Sequence, residues 1–170
     1  PTEPLRIADA NRRLALERLP APVLASLRWP NRPDLPAGNS AWTFMVHHLY
    51  GDFALFVGEE GTPPRPFEVW VNGNEQPRAL GALAKSLSMD LRSNDASWLR
   101  LKLDALATVA EERPFEMPFP PLGQTRPFPG VVAAVAAVLR WRCEQLGALQ
   151  AGSATPVIDA MFSRDEPHTS

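Results

Sequence analysis

The side chains best suited to acid–base, nucleophilic or metal chemistry are few in this sequence: His47, His48, His168 and the single cysteine, Cys143. His47 and His48 are adjacent in a stretch that reads as a strand. Neighbouring strand residues point to opposite faces, so the two imidazoles do not readily share a metal. His168 falls in a polar tail. A catalytic cysteine needs a lowered pKa from a nearby base or a helix N-terminus. Cys143 lies near the C-terminal end of an expected helix, where the dipole opposes a thiolate, and a structural role is expected. Glu111, Glu112 and Glu116 form an acidic cluster without a phased partner, which suits a solvated loop. Phosphate-loop, dinucleotide and zinc-protease motifs are missing, and so is the hydrolase nucleophile elbow. The chain thus has no recognisable catalytic constellation. An enzyme whose site assembles only in space stays open as an alternative.

Binding chemistry has more to work with. Lys102 falls inside the apolar arc of Trp98, Leu99, Leu106 and Val109. Arg142 falls inside the stripe of Val131, Val135, Val138 and Leu139. Long cationic side chains can snorkel from such positions. Otherwise each needs a buried carboxylate or a ligand. Asp90 and Asp104 are the available carboxylates, but spacing alone does not pair them. Asn72 and Gly73 stand between a strand and a helix, where a helix N-terminus could hold an anion. A small-ligand site, for instance for a nucleotide phosphate, would draw on Lys102, Arg142, Asn72 and Gly73. A different surface comes from Arg78, Lys85 and Arg92, which recur every seven residues opposite a leucine face. Met89 shares their side, with Gly81 and Ser88 flanking it. This reads either as an ordinary solvated face or as a partner-binding face whose basic stripe meets an acidic protein.

The elements that must position these residues follow from periodicity. Residues 9–19 suit a short helix within an N-terminal arm over residues 1–20, and Val23–Trp29 a first strand. Ala41–Leu49, Phe53–Val57 and Phe67–Val71 alternate as strands joined by turns, giving an antiparallel meander of about four strands. Apolar residues then recur at three and four residue steps over Pro77–Arg92. Asp95 is a candidate N-cap for a helix over Ala96–Glu111. Arg113–Phe128 is proline-rich and reads as irregular. A third long helix runs from Pro129 to Leu146, with Gly147 as its stop. Thr155-Pro156 starts a last short helix over Val157–Phe162, and residues 163–170 form a mobile tail. Strands first and helices second predict an α+β fold, with three helices packed on one face of the sheet.

Composition fits a single domain. The 170 residues are 45% hydrophobic and 21% charged, with a net charge of −2. That balance disfavours a nucleic-acid partner, which usually calls for a strong basic excess. One cysteine precludes a disulfide framework within the chain and favours a reducing compartment. No apolar run is long enough for a membrane helix and no signal-peptide pattern is seen, so a cytoplasmic protein without membrane contact is expected. Self-association into a homo-oligomer is left open. The chain opens on Pro1 rather than methionine, as expected of a fragment, a processed chain or a trimmed one.

The segment Phe67–Leu106 carries a resemblance. Its pieces are Val71-Asn72-Gly73-Asn74-Glu75-Gln76-Pro77-Arg78, then Ala84-Lys85-Ser86-Leu87-Ser88-Met89-Asp90-Leu91-Arg92, then Trp98 to Leu106. The flanks Arg28-Trp29-Pro30, Gly51-Asp52-Phe53-Ala54 and Arg140-Trp141-Arg142-Cys143-Glu144 extend it. Together they resemble the C-terminal accessory (TSCPD-type) region of adenosylcobalamin-dependent, class II ribonucleotide reductases. The cysteine-containing TSCPD signature itself is absent. The resemblance implies a non-catalytic module serving assembly, regulation or reductant docking, with the catalytic region of the reductase as partner. Adenosylcobalamin would belong to that catalytic region, and this segment would hold no cofactor. No catalytic residue carries over.

Overall fold

A computed structural model describes residues 31–73 and 79–151. The expected helix over 9–19, the strand over 23–29, the helix over 157–162 and the tail lie outside the described residues, as does Arg78. The described part is α+β. It comprises a three-stranded antiparallel sheet, a separate two-stranded hairpin and three helices.

The large sheet is a meander of β1 (Ser40–His48), β2 (Gly51–Glu60) and β3 (Arg65–Asn72), with β2 in the middle. These are the three expected strands that fall within the described residues. Alternation divides each strand between two faces. Trp42, Phe44 and Val46 stand opposite Val57, Leu55 and Phe53 on the inner face. Phe53, Leu55, Val57 and Val46 are almost fully buried there. The outer face carries Met45, Phe56 and Trp70, with Met45 and Trp70 nearly half exposed.

Helix α1 (Leu80–Ser93) runs along the outer edge of β3 rather than over a face. Ser88 shows why. Its hydroxyl accepts from the Val69 amide at 2.8 Å and lies 2.9 Å from the Val69 carbonyl. An edge strand otherwise presents unpaired backbone groups; here the hydroxyl takes the Val69 amide, and its one proton is shared between the Val69 and Ala84 carbonyls, each 2.9 Å away. Ser88 is therefore buried, not a flank of the exposed stripe as its spacing suggested.

Helix α2 (Ala96–Leu106) starts where the sequence places it. The Asp95 side chain accepts from the Trp98 amide at 2.9 Å. It stops short of the expected Glu111. The Glu111 amide donates instead to the Pro129 carbonyl at 2.8 Å, and its carboxylate meets His48. Helix α3 (Val131–Gln145) is buried along most of its length. It packs on the inner sheet face, with Trp141 against Trp42 at a 5.5 Å ring separation. Gly147 ends it in the left-handed conformation (φ 71°). The Gly147 amide bonds the Glu144 carbonyl and the Ala148 amide bonds the Cys143 carbonyl, a Schellman cap that only glycine adopts without strain.

The proline-rich stretch expected to be irregular holds a hairpin, β4 (Phe115–Phe119) paired with β5 (Gln124–Phe128). Phe115, Met117 and Phe119 point into the core while Glu116 and Pro118 point out. The two prolines within the strands, Pro118 and Pro127, sit at outward positions of a two-stranded ribbon, where no second neighbour requires their missing donor.

Candidate functional site

Lys102 is the first candidate that the fold decides. Its Nζ donates to Asp90 Oδ2 at 2.5 Å and to Ser86 Oγ at 2.6 Å. The other Asp90 oxygen accepts from the Trp98 indole at 2.9 Å. Asp90 is nearly buried, and both its oxygens are matched by donors from α2. A Ser–Lys contact of this length invites comparison with a nucleophile–base pair. A lysine base must accept the serine proton. Here Nζ donates to serine and carboxylate together, so the cluster is a clamp between α1 and α2.

Arg142 is resolved the same way. Its Nε and one terminal nitrogen lie 2.7 and 2.6 Å from Glu59 Oε1, and its guanidinium stands over the Trp42 ring at 5.3 Å. The Glu59 side chain is 8% exposed. The pair ties α3 to β2 in the core. Asp104, the other carboxylate considered for these cations, is taken by Arg140 at 2.5 Å.

Asn72 and Gly73 do not converge with these cations on one site. Asn72 is an exposed strand end opposite Ala54. A Cβ on Gly73 would stand 2.6 Å from Phe53 Cβ. Close approach to β2 is reason enough for glycine here.

The histidines point to opposite faces, as alternation predicts. His47 is exposed, with Nδ1 2.8 Å from Asp52 on the neighbouring strand. His48 is buried against the Phe115 ring, edge to face at 4.8 Å. Its Nδ1 accepts from the Tyr50 amide at 3.4 Å, which leaves Nε2 to carry the proton toward Glu111 at 3.2 Å. Both nitrogens are engaged, so His48 offers no lone pair to a substrate. Sequence reasoning left Glu111 in a solvated cluster. A buried imidazole seeking a carboxylate was the signal that could have placed it. Cys143 is fully buried, and burial pushes its thiol up to about 12. Among the described residues no group of three or more His, Cys, Asp or Glu could hold a metal ion. None of the described helices is long and apolar enough to cross a membrane.

Among the described residues the outward side of the helices is accessible, as is the outer face of the large sheet with Met45 and Trp70. Lys85 is exposed and has no hydrogen bond or ion pair among the described residues. Met89 is exposed beside it, and Arg92 is half-buried. Two open surface depressions, about 690 Å³ beside Arg100 and Asp104 and about 260 Å³ beside Arg65 and Arg92, are lined by no histidine or cysteine. Comparisons with known protein families, curated proteins and solved structures returned no match for this chain.

Proposed function

We propose that this chain is a non-catalytic docking module of a class II, adenosylcobalamin-dependent ribonucleotide reductase, cytoplasmic like the enzyme it serves. One observation carries the docking part. The cations that could have held a small anion, Lys102 and Arg142, are satisfied by the chain's own Asp90 and Glu59. Lys85, by contrast, stands outward beside an exposed methionine with no partner among the described residues. A surface that presents unmatched charge next to apolar area suits a protein partner. The link to the reductase rests on the resemblance of Phe67–Leu106. In this reading the cofactor and the chemistry belong to the catalytic region.

The test is capture of a purified class II reductase catalytic region by the wild-type chain and by K85E and R92E. Charge reversal is expected to weaken capture, and unchanged capture would sink the docking assignment. A thermal-shift screen against nucleotides is expected to be flat. A rise in melting temperature with one nucleotide would favour a ligand-sensing domain instead.

A further inference from the structure

Among the described residues, the outer face of the large sheet carries no helix. Thr43, Phe56 and Trp70 stand side by side across its three strands, and Met45, Ala54 and Asn72 form the next row. The Phe56 and Trp70 rings lie 6.3 Å apart. Met45 and Trp70 are 46% and 44% exposed. The row on the other side of Trp70 is Ala41, Gly58 and Glu68. It is roofed by the stretch that leads into β1. Arg32 Nε and one terminal nitrogen hold the Glu68 carboxylate at 2.8 and 3.1 Å, and the Glu68 side chain is 5% exposed. A Cβ on Gly58 would meet Glu68 Cγ at 2.5 Å and the Asn39 side-chain nitrogen at 3.2 Å, so both side chains lie across the strand there. The approach to β1 thus passes over the outer face, anchored two residues along β3 from Trp70.

We infer that residues 23–29 of this same chain occupy the outer face, whatever the chain docks to. With Arg32 fixed beside Glu68, Trp29 lies three residues upstream and Leu27 five, extended spans of about 10 and about 17 Å. Trp70 is two residues along β3 from Glu68, about 7 Å away. Met45 is four residues along and two strands across, about 17 Å away. Both lie within reach. Val23, Ala25, Leu27 and Trp29 recur at every second position. An extended stretch therefore sets one apolar side down on Phe56, Trp70 and Met45, and removes strip and patch from water together. Asn31 also lines the 260 Å³ depression, but Glu60, Arg65, Arg92 and Asn94 share that lining. Its charged and polar groups make it the poorer seat for an apolar strip.

The experiment oxidises the full chain with hydrogen peroxide and follows each methionine by peptide mass, since sulfoxide formation tracks exposure. Met89 on α1 is the internal standard, 36% exposed against 46% for Met45. With an open face Met45 would react at least as fast as Met89. With residues 23–29 seated on it, Met45 is expected to react several-fold more slowly than Met89. L27E and W29E each place a carboxylate in the apolar strip. Each is expected to bring Met45 up to the Met89 rate, with melting curves showing that the fold is kept. The wild-type ratio needs no variant and decides the matter even if one of them fails to fold. Equal rates in the wild type would show an open face and overturn the inference. Slow Met89 with fast Met45 would place the segment against α1 and overturn it too. Protection of Met45 that survives both L27E and W29E would mean a different occupant. Protection that fades on dilution, together with a dimer in sedimentation, would assign the face to a second copy of the chain and equally overturn the inference.

Discussion

Asp90 receives Lys102 on one oxygen, at 2.5 Å, and the Trp98 indole on the other, at 2.9 Å, joining the last turns of α1 to the length of α2. A nearly buried carboxylate holding two donors is a structural element whose loss strands both. Asp90→Ala is expected to cost about 2–4 kcal/mol, because the ammonium and the indole lose their acceptor together. Replacing both charges, as in D90L with K102M, is expected to cost less than the two single changes added. Urea unfolding of the four proteins checks this. Additive losses would mean that the pair is not coupled.

Arg142 and Glu59 make a second, part-buried pair, with two guanidinium nitrogens on one carboxylate oxygen and an aromatic ring beneath. Arg142→Lys keeps the charge but gives up the planar fork and the stacking on Trp42. It is expected to lose about 1–3 kcal/mol, nearly as much as Arg142→Met. The readout is the denaturation midpoint. A fully stable lysine variant would show that charge alone matters here.

Ser88 accepts from the Val69 amide on the β3 edge that α1 covers, and shares its proton between the Val69 and Ala84 carbonyls. Ser88→Ala is expected to cost about 1–3 kcal/mol, the penalty for leaving buried backbone groups unmatched. The Val69 amide should also exchange faster with deuterium than its neighbours in β3. Unchanged exchange at Val69 would mean that another group takes over the hydroxyl's role.

Cys143 has an ordinary value of 9.0 and is held at about 12 by burial. A thiol whose folded pKa is raised keeps its proton while the unfolded chain loses one. The native state therefore binds more protons between 9.0 and about 12, and its stability falls as pH rises through that window. Below 9.0 the contribution is constant. Near neutral pH the native protein is expected to resist alkylation by iodoacetamide and to react fully in denaturant. Alkylation of the native state at the denatured rate would contradict the buried placement.

Much of the local structure is legible residue by residue. Alternation at Trp42, Phe44, Val46 and His48 gives β1 and separates His47 from His48. Asp95 caps α2, and Gly147 stops α3 at the expected place. Where local signals conflict with contacts far along the chain, the contacts win. Helix α2 ends at Leu106 because Glu111 is claimed by His48 and Pro129. The β4–β5 hairpin was hidden because its prolines mask an alternation of Phe115, Met117 and Phe119 that is plain once the strand is seen.

The candidate site divides along the same line. The sequence by itself determined that Lys102 and Arg142 sit among apolar residues, that Lys85 and Met89 face away from the leucines, and that no catalytic motif is present. These follow from periodicity, which depends on neighbours within a few residues. Only the tertiary structure decided what the misplaced charges meet. Asp90 lies twelve residues from Lys102, and Glu59 lies 83 residues from Arg142. Such pairings arise from how separate elements pack, and no repeat along the chain encodes them. Packing has turned both expected ligand cations into internal clamps.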